Sequence, residues 1–329
     1  MHNSTWQNNL QGTVAVLMGG TASEREISLQ SGAAVLRALQ QLGVRAEAFD
    51  TANDLLATFT RSPPSLAFIA VHGAGGEDGK LQAVLEYLRI PYTGSGVLAS
   101  ALAMDKLRSK QLWSGMPLAT PNFAILDELD ALVSVADTAA VARYEAVLND
   151  LGGQVFVKPV AEGSSFGMSI ARSAAELQKA HAAARAYGQP VMAESLVRGP
   201  EYTVAIINGR CLPAICIETP NTFYDFDAKY AADDTQYLIP CGLDAAREQK
   251  LQQLAIQAFN ALGCSGWGRV DIMCDAASGE FYLLEVNTVP GLTDHSLVPM
   301  AAAADGWSFA DLISEICSAA LRTEGERSC

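Results

Sequence analysis

Gly268-Arg269-Val270-Asp271-Ile272 and Phe281-Tyr282-Leu283-Leu284-Glu285-Val286-Asn287 are two β-prone runs flanking the turn-like Asp275-Ala276-Ala277-Ser278-Gly279. Side chains on a strand alternate faces, so Arg269 shares a face with Asp271, and Glu285 with Asn287. A hairpin folded about Ser278 sets Asp271 opposite Glu285 and Arg269 opposite Asn287, with all four pointing the same way. A slip of one residue would turn half of the set away. Two carboxylates and an amide oxygen are hard ligands of the kind magnesium accepts, with water and phosphate oxygens completing the octahedron. An arginine beside them suits a phosphate or a developing oxyanion. The hairpin therefore predicts metal-dependent phosphoryl chemistry.

Upstream, the first hundred residues alternate strand and helix signals. Val14 to Met18 is a short apolar run ending at Gly19-Gly20, and Ser23 to Leu42 has helical periodicity. Ser23 with Glu26 forms a capping-box pattern, and Gly43 is placed to end that helix. Arg45 to Phe49 and Leu66 to Val71 read as strands and Lys80 to Leu88 as a helix. This alternation predicts a parallel α/β sheet with right-handed crossovers and binding sites at the C-terminal ends of its strands. Gly94-Ser95-Gly96 marks one boundary and Gly199-Pro200 another. Between them, Val97 to Trp113 reads as one helix, Asp127 to Ala146 as alanine-rich and helical, Val155 to Pro159 as a strand, and Ser173 to Tyr187 as a further helix. Beyond Gly199-Pro200, β-rich segments mix with helices at Ala245 to Leu262 and near Phe309 to Leu321.

With 329 residues, half of them apolar, the chain can bury a core of two or three domains. A net charge of −14 argues against nucleic acid or acidic membranes as partners. The seven cysteines show neither C-x-x-C nor zinc-ligand spacing, which predicts buried free thiols in a reducing compartment. Met1 to Gln11 lacks the apolar core of a signal peptide and reads as a frayed extension. No apolar window is long enough for a membrane span.

Several segments carry candidate chemistry. Gly19-Gly20-Thr21 follows the first strand without the full G-x-G-x-x-G spacing, so a tight turn explains it as well as a phosphate does. Glu24, in the first helical turn, either complements the helix dipole or holds a substrate ammonium. The stretch from His72 to Lys80 is no P-loop, because Ala74 and Leu81 stand where glycine and a hydroxyl residue are required. His72 itself ends an apolar strand facing the expected cleft. Lys158 ends a strand before Glu162-Gly163-Ser164-Ser165-Phe166-Gly167, whose backbone N–H groups and hydroxyls suit phosphate. Met192 to Val197 reads as a strand with an edge that an adenine ring could pair. Thr219 to Tyr237 reads as a long polar and aromatic loop, with Lys229 available to a phosphate.

These segments follow one another as GGTASEREISL, HGAGGEDGKLQ, PYTGSGVLASALAMDKLRSK, VKPVAEGSSFGMS, GPEYTVAI, FYDFDAKY, GWGRVDIM and YLLEVNTVPGLTDHSLVP. In that order the chain resembles the D-alanine–D-alanine ligases of the ATP-grasp superfamily over essentially its whole length. The resemblance implies an α/β, three-domain ATP-grasp architecture: a Rossmann-like parallel-sheet domain at 1–94, a central subdomain at 95–198, and a C-terminal subdomain at 199–329 bearing the metal site and a mobile loop at 219–237. It implies ATP-dependent ligation of two D-alanines through a D-alanyl phosphate, for peptidoglycan synthesis, by a cytoplasmic homodimer with neither nucleic-acid nor membrane partners. ATP and two magnesium ions, or manganese in their place, are the implied cofactors.

At matched positions, Asp271, Glu285 and Asn287 correspond to metal ligands, and Arg269 with the Gly291 N–H to oxyanion donors. Lys106 and Lys158 match phosphate ligands, Ser164 and Ser165 belong to the phosphate loop, Glu194 and Val197 match the adenine edge, and Glu201 the ribose carboxylate. Glu24, Ser164 and Tyr230 match a hydrogen-bonded trio. Glu24 and His72 border the first D-alanine, Ser296 the second, and Lys229 the transferred phosphate. The chain departs from the family pattern at Ser195, Leu196, Ala74, Phe166 and Val289. Tyr230 favours an amine over a hydroxy acid as acceptor. A ligase for another amino-acid pair, or a nucleotide-binding relic without catalysis, are the competing readings; retention of Asp271, Glu285, Asn287 and Lys229 speaks against the relic.

Overall fold

The computed structural model describes residues 6–127, 129, 138–163, 167–219 and 235–327. Val14–Met18 lies between Ala46–Asp50 and Leu66–Ile69 in a parallel sheet. Val14–Met18 and Leu66–Ile69 are buried along their whole length, as expected when helices cover both faces. The helix after the first strand spans Arg25–Gln41. It closes as expected at Gly43: this residue takes a positive φ and donates to Gln40, while Val44 donates back to Leu39. The capping box does not form. Glu24 is the N-cap residue but makes no side-chain cap, because its carboxylate is turned toward the loops at Gly73 and Gly163.

A second, antiparallel sheet orders Phe123–Ile125, Val191–Ser195, Val155–Pro159 and Ser169–Ala171. The third orders Gln236–Leu238, Ile215–Glu218, Glu201–Ile207, Trp267–Cys274 and Phe281–Asn287, with Arg210–Cys211 pairing onto Glu201–Ile207. Gln236 and Tyr237, read from sequence as loop, are therefore strand, while residues 220–234 lie outside the described part.

Three apolar cores hold these layers. The first sheet packs with Leu297 and Val298 and with Leu312, Ile313 and Ile316, which come from helices Leu297–Ala304 and Phe309–Arg327. The second sheet packs with helices Thr138–Asp150 and Ala174–Arg185, and the third with helix Ala245–Ala261 and Trp113. Trp6 corrects the reading of the N-terminus as frayed. It is buried in the first core and its indole N–H donates to the Ser314 hydroxyl at 2.9 Å, so one aromatic residue ties down an otherwise polar segment.

The expected single helix from Val97 to Trp113 is broken into Val97–Met104 and Lys106–Ser114. Asp105 is extended between them and accepts the Arg108 N–H at 2.9 Å. Aspartate is a better N-cap than an interior helical residue, so the chain restarts there. The restart puts Lys106 at the first helical position and sends it inward. The described cysteines are all free thiols, five of them buried.

Candidate active site

The hairpin forms in the expected register. Arg269 pairs with Asn287 and Asp271 with Glu285. Below that pair the register shifts, Ile272 facing Leu283, so Leu284 is the extra residue of a bulge. The slip that would have dispersed the four side chains is thus absorbed on the turn side of the site. Arg269 donates to both oxygens of Asp271 at 2.8 and 2.7 Å, the Asn287 amide donates to Asp271 at 3.0 Å, and the buried Thr203 hydroxyl donates to it at 2.7 Å. Glu285 is ion-paired with Lys106 at 3.0 Å, and Lys106 also donates to the Glu162 carbonyl at 2.7 Å. Burial is the largest single influence and would lower the Lys106 ammonium, but the charge and hydrogen bond of Glu285, with the charges of Glu24 and Glu77, together outweigh it and hold this lysine above its ordinary value.

Two cavities meet at this ion pair, and Lys106 and Glu285 line both. The smaller one, about 80 Å³, is polar and takes Glu24 and His72 from loops of the first sheet, Arg269, Asn287, Gly291 and Ser296 from the third sheet and the segment after it, and Gly163 from a loop of the second. A Cβ at either Gly73 or Gly163 would run into the Glu24 carboxylate, so these two glycines let it lie between the loops. Likewise a Cβ on Gly291 would fall 2.7 Å from the Ser296 hydroxyl. That hydroxyl accepts from the Thr293 N–H at 2.9 Å.

His72 lines the cavity yet is almost wholly buried, instead of lying open to it as its place at a strand end suggested. Its Nδ1 meets the Val289 carbonyl at 2.8 Å and its Nε2 the Ser31 hydroxyl at 3.0 Å. A carbonyl only accepts, so Nδ1 carries a proton. Burial lowers the imidazole pKa despite the charge of Glu24, which favours the neutral ring with Nε2 accepting from Ser31.

Glu77 was missed by sequence reasoning, being hidden among the glycines and acids of a loop. Its carboxylate accepts from the Gly73 and Val289 N–H groups at 2.8 and 2.9 Å. Burial and the neighbouring charge of Glu24 raise it to about 7.

The larger cavity, about 450 Å³, is lined by Phe156 and Ile170 on the second sheet, with Met168 just before the strand of Ile170, and by Ile217, Met273 and Leu284 on the third. Lys158, Glu194, Val197 and Glu201 lie along it, together with the departures Ser195 and Leu196. A slot with apolar walls and charged residues at its edges suits a flat ring carrying a polar, phosphorylated tail. Ser164, Ser165 and Phe166, and Lys229 and Tyr230, lie outside the described residues; Gly163 and Met168, which flank the first group, each line one cavity.

Comparison with known proteins agrees with this arrangement. The family model described as D-ala D-ala ligase C-terminus matches residues 112–318, and the one described as D-ala D-ala ligase N-terminus matches 43–95. The chain belongs to the D-alanine–D-alanine ligase family. Over 310 residues it is 54% identical to a D-alanine–D-alanine ligase of Saccharophagus degradans, covering 94% of this chain and 95% of that one. Among solved structures, a D-alanine–D-alanine ligase from Bacillus anthracis superposes with a TM-score of 0.83 at 31% identity, covering 96% of this chain and 99% of the other. A D-alanine–D-alanine ligase from Bacillus anthracis complexed with ATP superposes with a TM-score of 0.81 at 28% identity, over 96% and 99% of the two chains. The three sheets are those of an ATP-grasp ligase. No helix among the described residues is long and apolar enough to cross a membrane.

The hairpin also meets the chemical demands of a magnesium site. The described residues contain no group of three or more His, Cys, Asp or Glu side chains that could hold a metal. Asp271, Glu285 and Asn287 do share one face of the hairpin, two carboxylates and an amide, with the Asn287 nitrogen turned toward Asp271 and Glu285 paired with Lys106. A hard cation that keeps water and phosphate oxygens needs few protein ligands, so this oxygen set fits magnesium and would poorly hold a softer metal.

Proposed function

We propose that this chain joins two D-alanines into D-alanyl-D-alanine with hydrolysis of ATP to ADP and phosphate, supplying a cell-wall precursor in the cytoplasm. The observation that carries the reading is the meeting of a small polar cavity and a larger apolar-walled cavity at one ion pair, Lys106–Glu285, beside the oxygen-rich face of the hairpin. A substrate carboxylate in the first cavity then lies next to the phosphate end of a nucleotide in the second.

A carboxylate is a poor electrophile, so it must be activated before an amine can attack. One oxygen of the first D-alanine carboxylate attacks the γ-phosphorus of ATP and ADP leaves, giving a D-alanyl phosphate. The amine of the second D-alanine attacks its carbonyl carbon, the carbon–oxygen bond to phosphate breaks, and inorganic phosphate departs. Glu24 holds the first ammonium, with His72 beside it, and Ser296 holds the second substrate. Arg269 and the Gly291 N–H steady the tetrahedral oxyanion, where loss of one such donor typically costs ~10²–10³ in rate. Lys106 and Lys158 bind the nucleotide phosphates, Glu194 and Val197 the adenine, and Glu201 the ribose. Ser164 and Ser165 bind phosphate, Lys229 neutralises the transferred group, and Tyr230 completes the link between Glu24 and Ser164. Asp271, Glu285 and Asn287 would hold two magnesium ions, or manganese; when bound, these ions offset charge building up on the phosphates.

The proposed division of the chain is 1–94, 95–198 and 199–329, with residues 219–237 closing over the intermediate, in a homodimer. These are segments of chain more than separate bodies. Trp113 packs in the core of the third sheet, and residues 297–320 complete the core of the first. The test is phosphate release from ATP and magnesium with D-alanine, compared with L-alanine and D-lactate. Release that requires D-alanine supports the reading; release with L-alanine alone, or with none of the three, rejects it.

A further inference from the structure

Lys110 stands one helical turn beyond Lys106 in helix Lys106–Ser114, on the same inward face. Its side chain is 0% exposed, an unusual condition for a lysine. Its ammonium is 2.8 Å from one oxygen of Glu194 and donates to the Thr120 hydroxyl at 2.6 Å. That hydroxyl donates in turn to the Leu283 carbonyl at 2.9 Å, which fixes the lysine against the metal hairpin. The other oxygen of Glu194 is paired with Lys158, whose ammonium also lies 5.2 Å from the centre of the Phe156 ring. Glu194 and Lys158 line the larger cavity, whereas Lys110 is not among the described residues that line either cavity.

One buried carboxylate thus carries two lysines, one sealed behind it and one facing the cavity. With a single lysine, Glu194 and Lys158 would form a closed neutral pair. Drawing Lys158 toward a phosphate would then leave a buried carboxylate with no counter-charge, which is strongly unfavourable. With Lys110 in place the carboxylate stays compensated whichever way Lys158 turns. Resting on the nucleotide reading above, we propose that Lys110 is the resident counter-ion of Glu194, a positioning residue that keeps the adenine-facing carboxylate ionised and frees Lys158 for the nucleotide phosphates. The charges around it agree. Burial pushes Glu194 up, but Lys110 and Lys158 together outweigh burial and hold it below the ordinary carboxylate range. Burial lowers Lys110 to about 8 even with Glu194 beside it, so the fold keeps this ammonium at an energetic cost.

The test uses the full-length chain and three variants: Lys110→Met, Glu194→Gln, and the two combined. KM for ATP and for D-alanine are measured separately by phosphate release, and ADP affinity by calorimetry. Lys110→Met should raise KM for ATP and Kd for ADP by roughly tenfold, about 1.4 kcal/mol, while KM for D-alanine stays within about twofold. In the Glu194→Gln background, where no carboxylate needs a counter-ion, adding Lys110→Met should change ADP affinity by less than about twofold. Equal rises in both KM values, or a tenfold loss that persists in the Glu194→Gln background, would overturn the proposal and leave Lys110 as a structural cross-link. If Lys110→Met alone does not fold, Glu194→Gln against the double variant decides in the same way. D-alanine-dependent phosphate release by the unaltered chain tests the ligase reading by itself, and ADP affinity reports on Lys110 whatever the amino-acid substrate.

Discussion

Glu285→Gln separates the two duties of the hairpin, because it removes a charge and keeps the shape. Glu285 lies 3.0 Å from the Lys106 ammonium, with side-chain exposures of 22% and 6%. At an effective dielectric of ~20, two unit charges at that distance attract by roughly 5 kcal/mol. Much of this is offset by the desolvation of the pair. The glutamine oxygen still accepts a hydrogen bond, and Lys106 keeps the Glu162 carbonyl at 2.7 Å. The net loss of stability should be about 1–3 kcal/mol, well inside the ~5–15 kcal/mol that ordinarily holds a folded protein together. The variant should therefore fold, with an unfolding temperature lower by a few degrees. Ligation should fall by at least ~10², the scale of losing one preorganised charge at a reacting phosphate. Phosphate release across a magnesium titration measures the second effect, and thermal unfolding with and without magnesium and ADP the first. Turnover within about threefold of the unaltered chain at ordinary magnesium would refute the assignment of Glu285 to the metal, even if the unfolding temperature fell as expected.

Two further substitutions probe the surroundings. Glu77 sits at about 7 in the folded chain, against 4.5 for an ordinary glutamate, so between those values the folded state holds a proton that the unfolded chain has released. Its stabilising effect is complete below about 4.5 and lost as the pH rises through about 7. Glu77→Gln should flatten the decline in stability over that window, as read by urea unfolding at several pH values; an unchanged slope would contradict the raised value. Thr203→Val removes the 2.7 Å hydrogen bond to Asp271 with little change in volume. It should weaken apparent magnesium affinity by roughly tenfold, and identical magnesium titrations would show that Thr203 does not orient this carboxylate.

The residues whose role follows from strand periodicity were legible in the sequence. Arg269, Asp271, Glu285 and Asn287 needed only a period of two and a turn between them, and their pairing is as expected. The bulge at Leu284 was not legible, since leucine is equally at home in a regular strand. Asp105 looked like one polar residue in a long helix, because only the inward demands on Lys106 and Lys110 reveal why the helix restarts there. Lys110 itself sits in Lys106-Leu107-Arg108-Ser109-Lys110, a run that reads as a solvated helical face until the sheet carrying Glu194 is placed against it. Glu77 was hidden for a related reason: its raised pKa comes first from burial and then from the charge of Glu24, 53 positions away in sequence. Long-range charge contacts leave no local pattern. Trp6 shows the same limit in packing, since its partner Ser314 lies at the far end of the chain.

The path of one oxygen atom tests the acyl-phosphate chemistry most directly. D-alanine labelled with oxygen-18 in its carboxylate is mixed with ATP and magnesium, and the phosphate released is examined by mass spectrometry or by phosphorus NMR. Attack of the carboxylate on phosphorus, followed by attack of the amine on carbon, carries a single carboxylate oxygen into each phosphate. Phosphate bearing one oxygen-18 in step with dipeptide formation is the predicted result. Unlabelled phosphate released while dipeptide accumulates would contradict it.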